Sequence, residues 1–278
     1  MAPTPLRILC FGDSLTSGFF SYGMESHPYS LKLEDKLTGA RPDLDVRVVT
    51  SGVPGDVATF QRFIDRMSTE CMYFLTYFVY YRHDVRRCHF MSSPPHYGTR
   101  CSKRVLDWVI VLAGTNDMAY GISPTSVYES LQKAWDIPLS KGSKVLALTV
   151  PECHARSEKL DKRRDELNRS IMTHRQPGYH SFDLKSHIPF HSLTESDREK
   201  YWDDGVHLRD DGYDWMGGHI ADALLRLIGH DGQQEPATSA SRRRSSKQTK
   251  ESSSLAEETG NPRNISEGYV VVRKKDLD

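Results

Sequence analysis

What this sequence lacks excludes several classes of function before any motif is read. No run approaches the roughly 20 apolar residues that a membrane-spanning helix requires, so no transmembrane segment is expected. Neither sign of charge is in excess. The 37 Lys and Arg residues balance 37 Asp and Glu residues over 278 positions, which removes the global field that draws nucleic acid, anionic membranes or acidic substrates. No nucleic-acid partner is expected, and recognition falls to local chemistry. Cysteine is scarce: five residues, with no CxxC pair, argue for reduced thiols instead of a disulfide framework. The opening MAPTPLRILCFG holds no apolar stretch long enough for a signal peptide and leads straight into a first core strand. An intracellular, cytoplasmic location is therefore expected. The sequons Asn168-Arg169-Ser170 and Asn264-Ile265-Ser266 are then expected to stay unmodified. Among 12 histidines there is no HExxH pair, and neither a metal nor another cofactor is expected.

What is present is a repeating pattern. Short apolar runs at Arg7 to Phe11, Val46 to Thr50, Trp108 to Ala113, Lys144 to Val150 and, more weakly, His180 to Leu184 lack strict alternation. Such runs suit strands covered on both faces. Between them, helical patterns occupy Tyr29 to Leu37, Val57 to Met67, Pro124 to Ile137, Ala155 to Thr173 and Asp210 to Ile228. Strand and helix in alternation predict a three-layer α/β/α domain with right-handed crossovers, over residues 1–232.

Two segments break the pattern. From about residue 68 to 104, an aromatic run passes into a basic loop bearing His and Cys, an atypical insertion where a short connection belongs. It reads as a lid, a disordered loop or an error in the gene model. Its Cys71, His83, Cys88, His89, His96 and Cys101 could be taken for zinc ligands, but none has a standard finger spacing. Residues 233–278, rich in Ser, Arg and Glu, are expected to be disordered. Within them Arg242-Arg243-Arg244-Ser245-Ser246 is a basic address, a phosphorylation site or a solvated charge run.

In open α/β sheets ligands bind beyond the carboxyl ends of the strands. Those exits hold Gly12-Asp13-Ser14, Ser51-Gly52, Gly114-Thr115-Asn116-Asp117 and Pro151-Glu152, and the last helix is preceded by Asp203-Asp204-Gly205-Val206-His207. Each signal is weak alone. Together, Phe11-Gly12-Asp13-Ser14-Leu15, Ser51-Gly52-Val53-Pro54-Gly55-Asp56, Gly114-Thr115-Asn116-Asp117 and Asp204-Gly205-Val206-His207 make the chain resemble the SGNH hydrolases, or GDSL-type lipases and acylhydrolases, over about residues 6 to 228 apart from the insertion. The resemblance implies a flavodoxin-like fold with a five-stranded parallel sheet in the order 2-1-3-4-5.

Ester hydrolysis needs a nucleophile, a base and donors for a developing oxyanion. Ser14 supplies a hydroxyl, and His207 an imidazole able to take and return its proton near neutrality. Asp204, three residues earlier, lies within one tight turn of the far ring nitrogen. The resemblance implies an oxyanion hole of the Ser14 and Gly52 backbone N–H groups and the Asn116 side-chain amide. Asp203 competes with Asp204, but the spacing favours Asp204. Asp13, Asp56 and Asp117 are expected to bind backbone or tie loops. Thr16 stands where the G-x-S-x-G elbow of α/β-hydrolases needs glycine.

The expected activity is that of a serine esterase for small to medium esters, with an acyl ester and water as its partners. A thioesterase or lysophospholipase of the same mechanism, acyl transfer to another acceptor, and a non-catalytic scaffold with a blocked site are the alternatives. Phe19, Phe20, Tyr22, His27 and Tyr120 are candidates for the pocket and equally for packing. Oligomeric state is not legible. A metal-dependent hydrolase is the remaining rival, and hydrolysis that persists undiminished in excess EDTA is the expected outcome; loss of turnover that zinc restores would contradict it.

Overall fold

The computed structural model describes residues 2–77 and 106–231, together with the pairs 255–256 and 272–273. A five-stranded sheet is formed by β1 (Thr4–Gly12), β2 (Leu44–Gly52), β3 (Trp108–Leu112), β4 (Lys144–Leu148) and β5 (Tyr179–Phe182), in the order β2-β1-β3-β4-β5. All neighbours run parallel. This is the order expected from the sequence. Every carboxyl end points the same way, and β1 lies between β2 and β3, with Gly12 opposite both Gly52 and Leu112.

The helices are α1 (Ser14–Ser17), α2 (Ser30–Ala40), α3 (Gln61–Tyr77), α4 (Thr115–Ala119), α5 (Pro124–Ser140), α6 (Glu158–Thr173), α7 (Leu184–His187), α8 (Glu195–Tyr201) and α9 (Asp210–Asp231). Local chemistry sets several starts. Ser123 accepts from the Ser126 N–H with Pro124 in the first turn of α5, and Thr194 accepts from the Asp197 N–H at α8. The strand period of two divides β1 between two cores. Leu6, Ile8 and Cys10 face Leu33 and Leu37 of α2 and Met216, Ile220 and Leu224 of α9. Leu9 and Phe11 face Phe63 and Met67 of α3, Leu131 and Trp135 of α5, and Leu167 of α6. That explains the unbroken apolar runs: both sheet faces are covered.

Two expectations need correction. The second helix does not span Val57 to Met67; α3 starts at Gln61 and continues to Tyr77, so the first part of the expected insertion is helix. Phe63, Met67 and Cys71, spaced four apart, form one buried stripe that carries the helix past residue 68. Cys71 is thus a core residue whose thiol burial pushes up to about 11. Second, the sequence reading omitted α1, α4, α7, α8 and a ribbon pairing Phe19–Phe20 with Glu25–Ser26. These elements are too short for periodicity to register.

His83, Cys88, His89, His96, Cys101, Asn264 and the 242–246 segment lie outside the described residues. Contacts divide the chain into units Met1–Gln234 and Glu235–Asp278. The second contains an antiparallel pair, Leu255–Ala256 with Val272–Arg273. Among the described residues, no helix is long and apolar enough to cross a membrane.

Leu9 lies in the middle of β1 and is fully buried. Leu9→Ala is expected to cost about 2–5 kcal/mol of stability, read from urea denaturation; a loss below about 0.5 kcal/mol would contradict the assigned core position.

Candidate active site

The first strand ends where side chains no longer fit. A Cβ on Gly12 would stand 2.1 Å from the Leu112 carbonyl oxygen and 2.3 Å from Thr16 Oγ1. The chain turns there into α1. Asp13 is its N-cap, its carboxylate accepting from the Leu15 N–H at 3.0 Å. Ser14 is thereby placed in the first helical turn, where backbone N–H groups lack intrahelical acceptors. It is 7 % exposed.

His207 arrives from the other end of the sequence, on the loop between α8 and α9. A bridge between Trp202 and Leu208 closes that loop, and the Asp203 N–H donates to the His207 carbonyl at 2.8 Å. Gly205 adopts φ 83°, a conformation suited to glycine. The result joins three of the residues singled out from the sequence. His207 Nε2 lies 2.8 Å from Ser14 Oγ, and His207 Nδ1 lies 2.7 Å from Asp204 Oδ2. With the ring proton on Nδ1, shared with the carboxylate, Nε2 accepts from the Ser14 hydroxyl. Asp204 Oδ1 also accepts from the Val206 and His207 N–H groups at 3.0 and 2.8 Å. Burial opposes its ionisation, yet the His207 ring and these two N–H groups hold Asp204 below its ordinary value.

Asp203 has different partners. Its carboxylate accepts from the Ser21 N–H at 2.9 Å and faces Arg209 at 3.6 Å, which ties the Phe19–Ser26 ribbon to the His207 loop. Along that ribbon, the Phe19 ring lies 4.8 Å from the His207 ring. The other pocket candidates separate in environment. Phe20 is buried in the core, His27 Nε2 pairs with Asp214 at 2.8 Å, and Tyr22 and Tyr120 are exposed.

Asn116, in the first turn of α4, donates through Nδ2 to the Asp56 carbonyl at 2.8 Å. Gly52 ends β2, and its missing Cβ has a clear cause: a side chain would stand 2.2 Å from the Ser17 backbone nitrogen. The close approach at Gly52 is therefore made by α1. Gly55 is different. It follows Pro54 in the turn closed by Asp56 N–H to Val53 carbonyl at 3.0 Å, has φ 73°, and has nothing within 4 Å of a Cβ position.

Asp117 is fully buried and accepts from the Ala58 and Thr59 N–H groups at 2.9 and 3.1 Å. Asp56 accepts from the Val57 N–H, Arg62 and Arg66. Arg66 was not singled out from the sequence, because no motif marks an arginine on a helix face. A cleft of about 1000 Å³ beside α6, lined by Arg156, Asp161, Lys162, Asp165, Arg169 and His191, includes none of these residues.

Asp13 carries an unusual cost. Burial, then the nearby Asp117 and Asp56 carboxylates, push it up to about 7, against the lowering effect of the Leu15 N–H and its own backbone N–H. An unfolded chain releases this proton near 3.8, so between there and about 7 the folded state binds more protons and this group lowers stability as pH rises. Asp13→Asn is expected to make stability fall less between pH 4 and 7 than in the parent chain, measured by denaturant midpoints. Parallel profiles for the two proteins would contradict the buried-carboxylate account.

Comparison with known proteins identifies the family and the fold. The sequence model of the GDSL-like lipase/acylhydrolase family matches residues 10–215. No curated protein sequence matches the chain. Similar solved structures include a lipolytic protein of the G-D-S-L family from Veillonella parvula, with 20% identity, 80% of this chain and 100% of that chain covered, and a TM-score of 0.53. A lipase/acylhydrolase from Enterococcus faecalis has 17% identity, coverage of 80% and 96%, and a TM-score of 0.53. A carbohydrate esterase family 3 protein from Talaromyces cellulolyticus has 15% identity, coverage of 81% and 99%, and a TM-score of 0.52. At those identities the structures bear on the fold, while the match over residues 10–215 bears on the family: the chain belongs to the GDSL-like lipase/acylhydrolase family and is a carboxylic ester hydrolase.

Proposed function

We propose that the chain is a serine esterase that cleaves small to medium carboxylic esters through an acyl-enzyme on Ser14. The observation that supports this most strongly is the hydrogen-bonded series Ser14 Oγ, His207 Nε2, His207 Nδ1 and Asp204 Oδ2, with contacts of 2.8 and 2.7 Å. As Ser14 Oγ bonds to the ester carbonyl carbon, its proton passes to His207 Nε2, and the carbonyl π pair moves onto oxygen. Asp204 stabilises the imidazolium and fixes the tautomer. Collapse of the intermediate breaks the C–O bond, and His207 gives the proton to the departing alcohol. Water then repeats the sequence on the acyl-enzyme, releasing the acid and returning the proton to Ser14.

The negative oxygen is received by the Ser14 N–H, the Asn116 amide and a backbone N–H from the 52–55 segment. The family resemblance assigns that third donor to Gly52. Gly55 is a second candidate, supported by its open surroundings and by the Asp56 carbonyl that holds Asn116. An ester and water are the partners of this chemistry. Thioesterase, lysophospholipase and acyl-transfer activities use the same groups and differ in the substrate admitted. A non-catalytic scaffold is disfavoured by the intact relay.

Ser14→Ala is expected to abolish both p-nitrophenyl acetate hydrolysis and labelling by a fluorophosphonate. Asn116→Ala should lower kcat by about 10²- to 10³-fold with the fold intact. Folded protein that takes up no probe would favour the scaffold, and a chain-length series of esters and thioesters distinguishes the remaining activities.

A further inference from the structure

Arg66 projects from α3 beneath the carboxyl ends of β1 and β2, and its side chain is 18% exposed. A guanidinium has five N–H donors in a fixed fork, and each of these has an acceptor here. Nη1 donates to the Ser51 carbonyl and to Ser51 Oγ, both at 2.8 Å. Nη2 donates to the Gly12 carbonyl at 2.7 Å and to Asp56 Oδ2 at 2.9 Å, and Nε donates to Asp56 Oδ2 at 3.2 Å. The plane is also packed on the Phe11 ring, 3.8 Å from its centroid.

These acceptors belong to three separate segments. Gly12 ends the strand that delivers Ser14 two residues later. Ser51 shares a peptide unit with Gly52, and in a trans peptide the carbonyl and the N–H point to opposite sides, so holding the Ser51 carbonyl sets the direction of the Gly52 N–H. Asp56 closes the turn containing Gly55, and its carbonyl accepts from Asn116 Nδ2 at 2.8 Å. One cation therefore contacts the segments that lead into Ser14 and Gly52, and also Asp56, whose carbonyl holds the Asn116 amide. It touches neither His207 nor Asp204 in any hydrogen bond or ion pair described for it.

We propose that Arg66 is a positioning residue for ester hydrolysis, its guanidinium holding the Gly12, Ser51 and Asp56 segments in the mutual register that the oxyanion donors require. The inference rests on the acyl-enzyme reading above. Asp56 is the counter-ion that keeps the fork in place, with its carboxylate only 1% exposed. Lysine keeps the charge but presents a single nitrogen, which cannot reach the Gly12, Ser51 and Asp56 acceptors together.

The test uses the full chain with Arg66→Lys, Asp56→Asn and Ser14→Ala, each first compared with the parent by circular dichroism and thermal melting. Folded Arg66→Lys should lose about 10- to 100-fold in kcat, as sub-ångström misplacement of reacting groups does, while KM changes by less than about threefold. The rate of fluorophosphonate inactivation should fall with it. The acid limb of the pH–rate profile should stay where it is, because the His207–Asp204 pair is untouched; a merely structural loss of active molecules would leave kcat per folded molecule unchanged. Where Arg66→Lys does not fold, Asp56→Asn should show the same loss in kcat in smaller degree. A folded variant with parental kcat, or one that changes KM alone, overturns the proposal. Turnover that survives Ser14→Ala defeats the acyl-enzyme reading itself, whereas abolished turnover there with parental Arg66→Lys defeats only the role of Arg66.

Discussion

A single contact, between the Ser14 hydroxyl and His207 Nε2, joins positions 193 residues apart, and the chemistry assigned to this protein depends on it. Nothing local to either residue produces it. Ser14 is placed by a strand that ends in a glycine too crowded for a side chain and by a cap that starts α1 at once. His207 is placed by a loop closed through Trp202 and Leu208 and braced from within by the Asp204 carboxylate. The parallel sheet directs the exit of β1 to one edge, and the packing of Trp202, Leu208 and α9 against β1 brings the His207 loop to that edge. A hydrogen bond of this kind contributes only about 1 kcal/mol net, so the relay is held by the packing of the sheet and not the reverse.

The acidic residues around the site show how environment divides identical groups into different tasks. Asp204 accepts from a ring nitrogen and two backbone N–H groups, which favours its charge. Asp13, next to Ser14 in sequence, is buried and is pushed towards its neutral form. Asp117 ties the turn after β2 to α4, Asp56 binds two arginines, and Asp203 anchors the Phe19–Ser26 ribbon. Proximity to Ser14 in the chain would select Asp13 as the partner of the histidine. Geometry selects Asp204.

Much of this was legible in the sequence because the informative residues are local. Five apolar runs revealed five strands, since burial on both faces leaves no room for polar alternation. Asp204 and His207 could be paired from their spacing, as one turn carries the whole relation. Other parts were hidden for physical reasons. Arg66 satisfies five donors on backbone carbonyls, a hydroxyl and one carboxylate, and a carbonyl leaves no mark in a sequence. The role of Gly52 in admitting α1 depends on contact between segments some 35 residues apart, Ser17 and Gly52. The end of α3 was misjudged because the aromatic run after Ser68 looked like a break in pattern, whereas Cys71 continues the buried stripe of Phe63 and Met67.

The central claim is that an acyl group resides on Ser14 during turnover. Rapid acid quenching of the protein mixed with p-nitrophenyl butyrate, followed by peptide mass spectrometry, measures this directly. The account predicts a butyryl mass increment on the peptide carrying Ser14, appearing within the first turnover and absent from Ser14→Ala. Sustained hydrolysis with Ser14 unmodified at every time point, or with the butyryl group on another residue at kinetically competent rates, would contradict it.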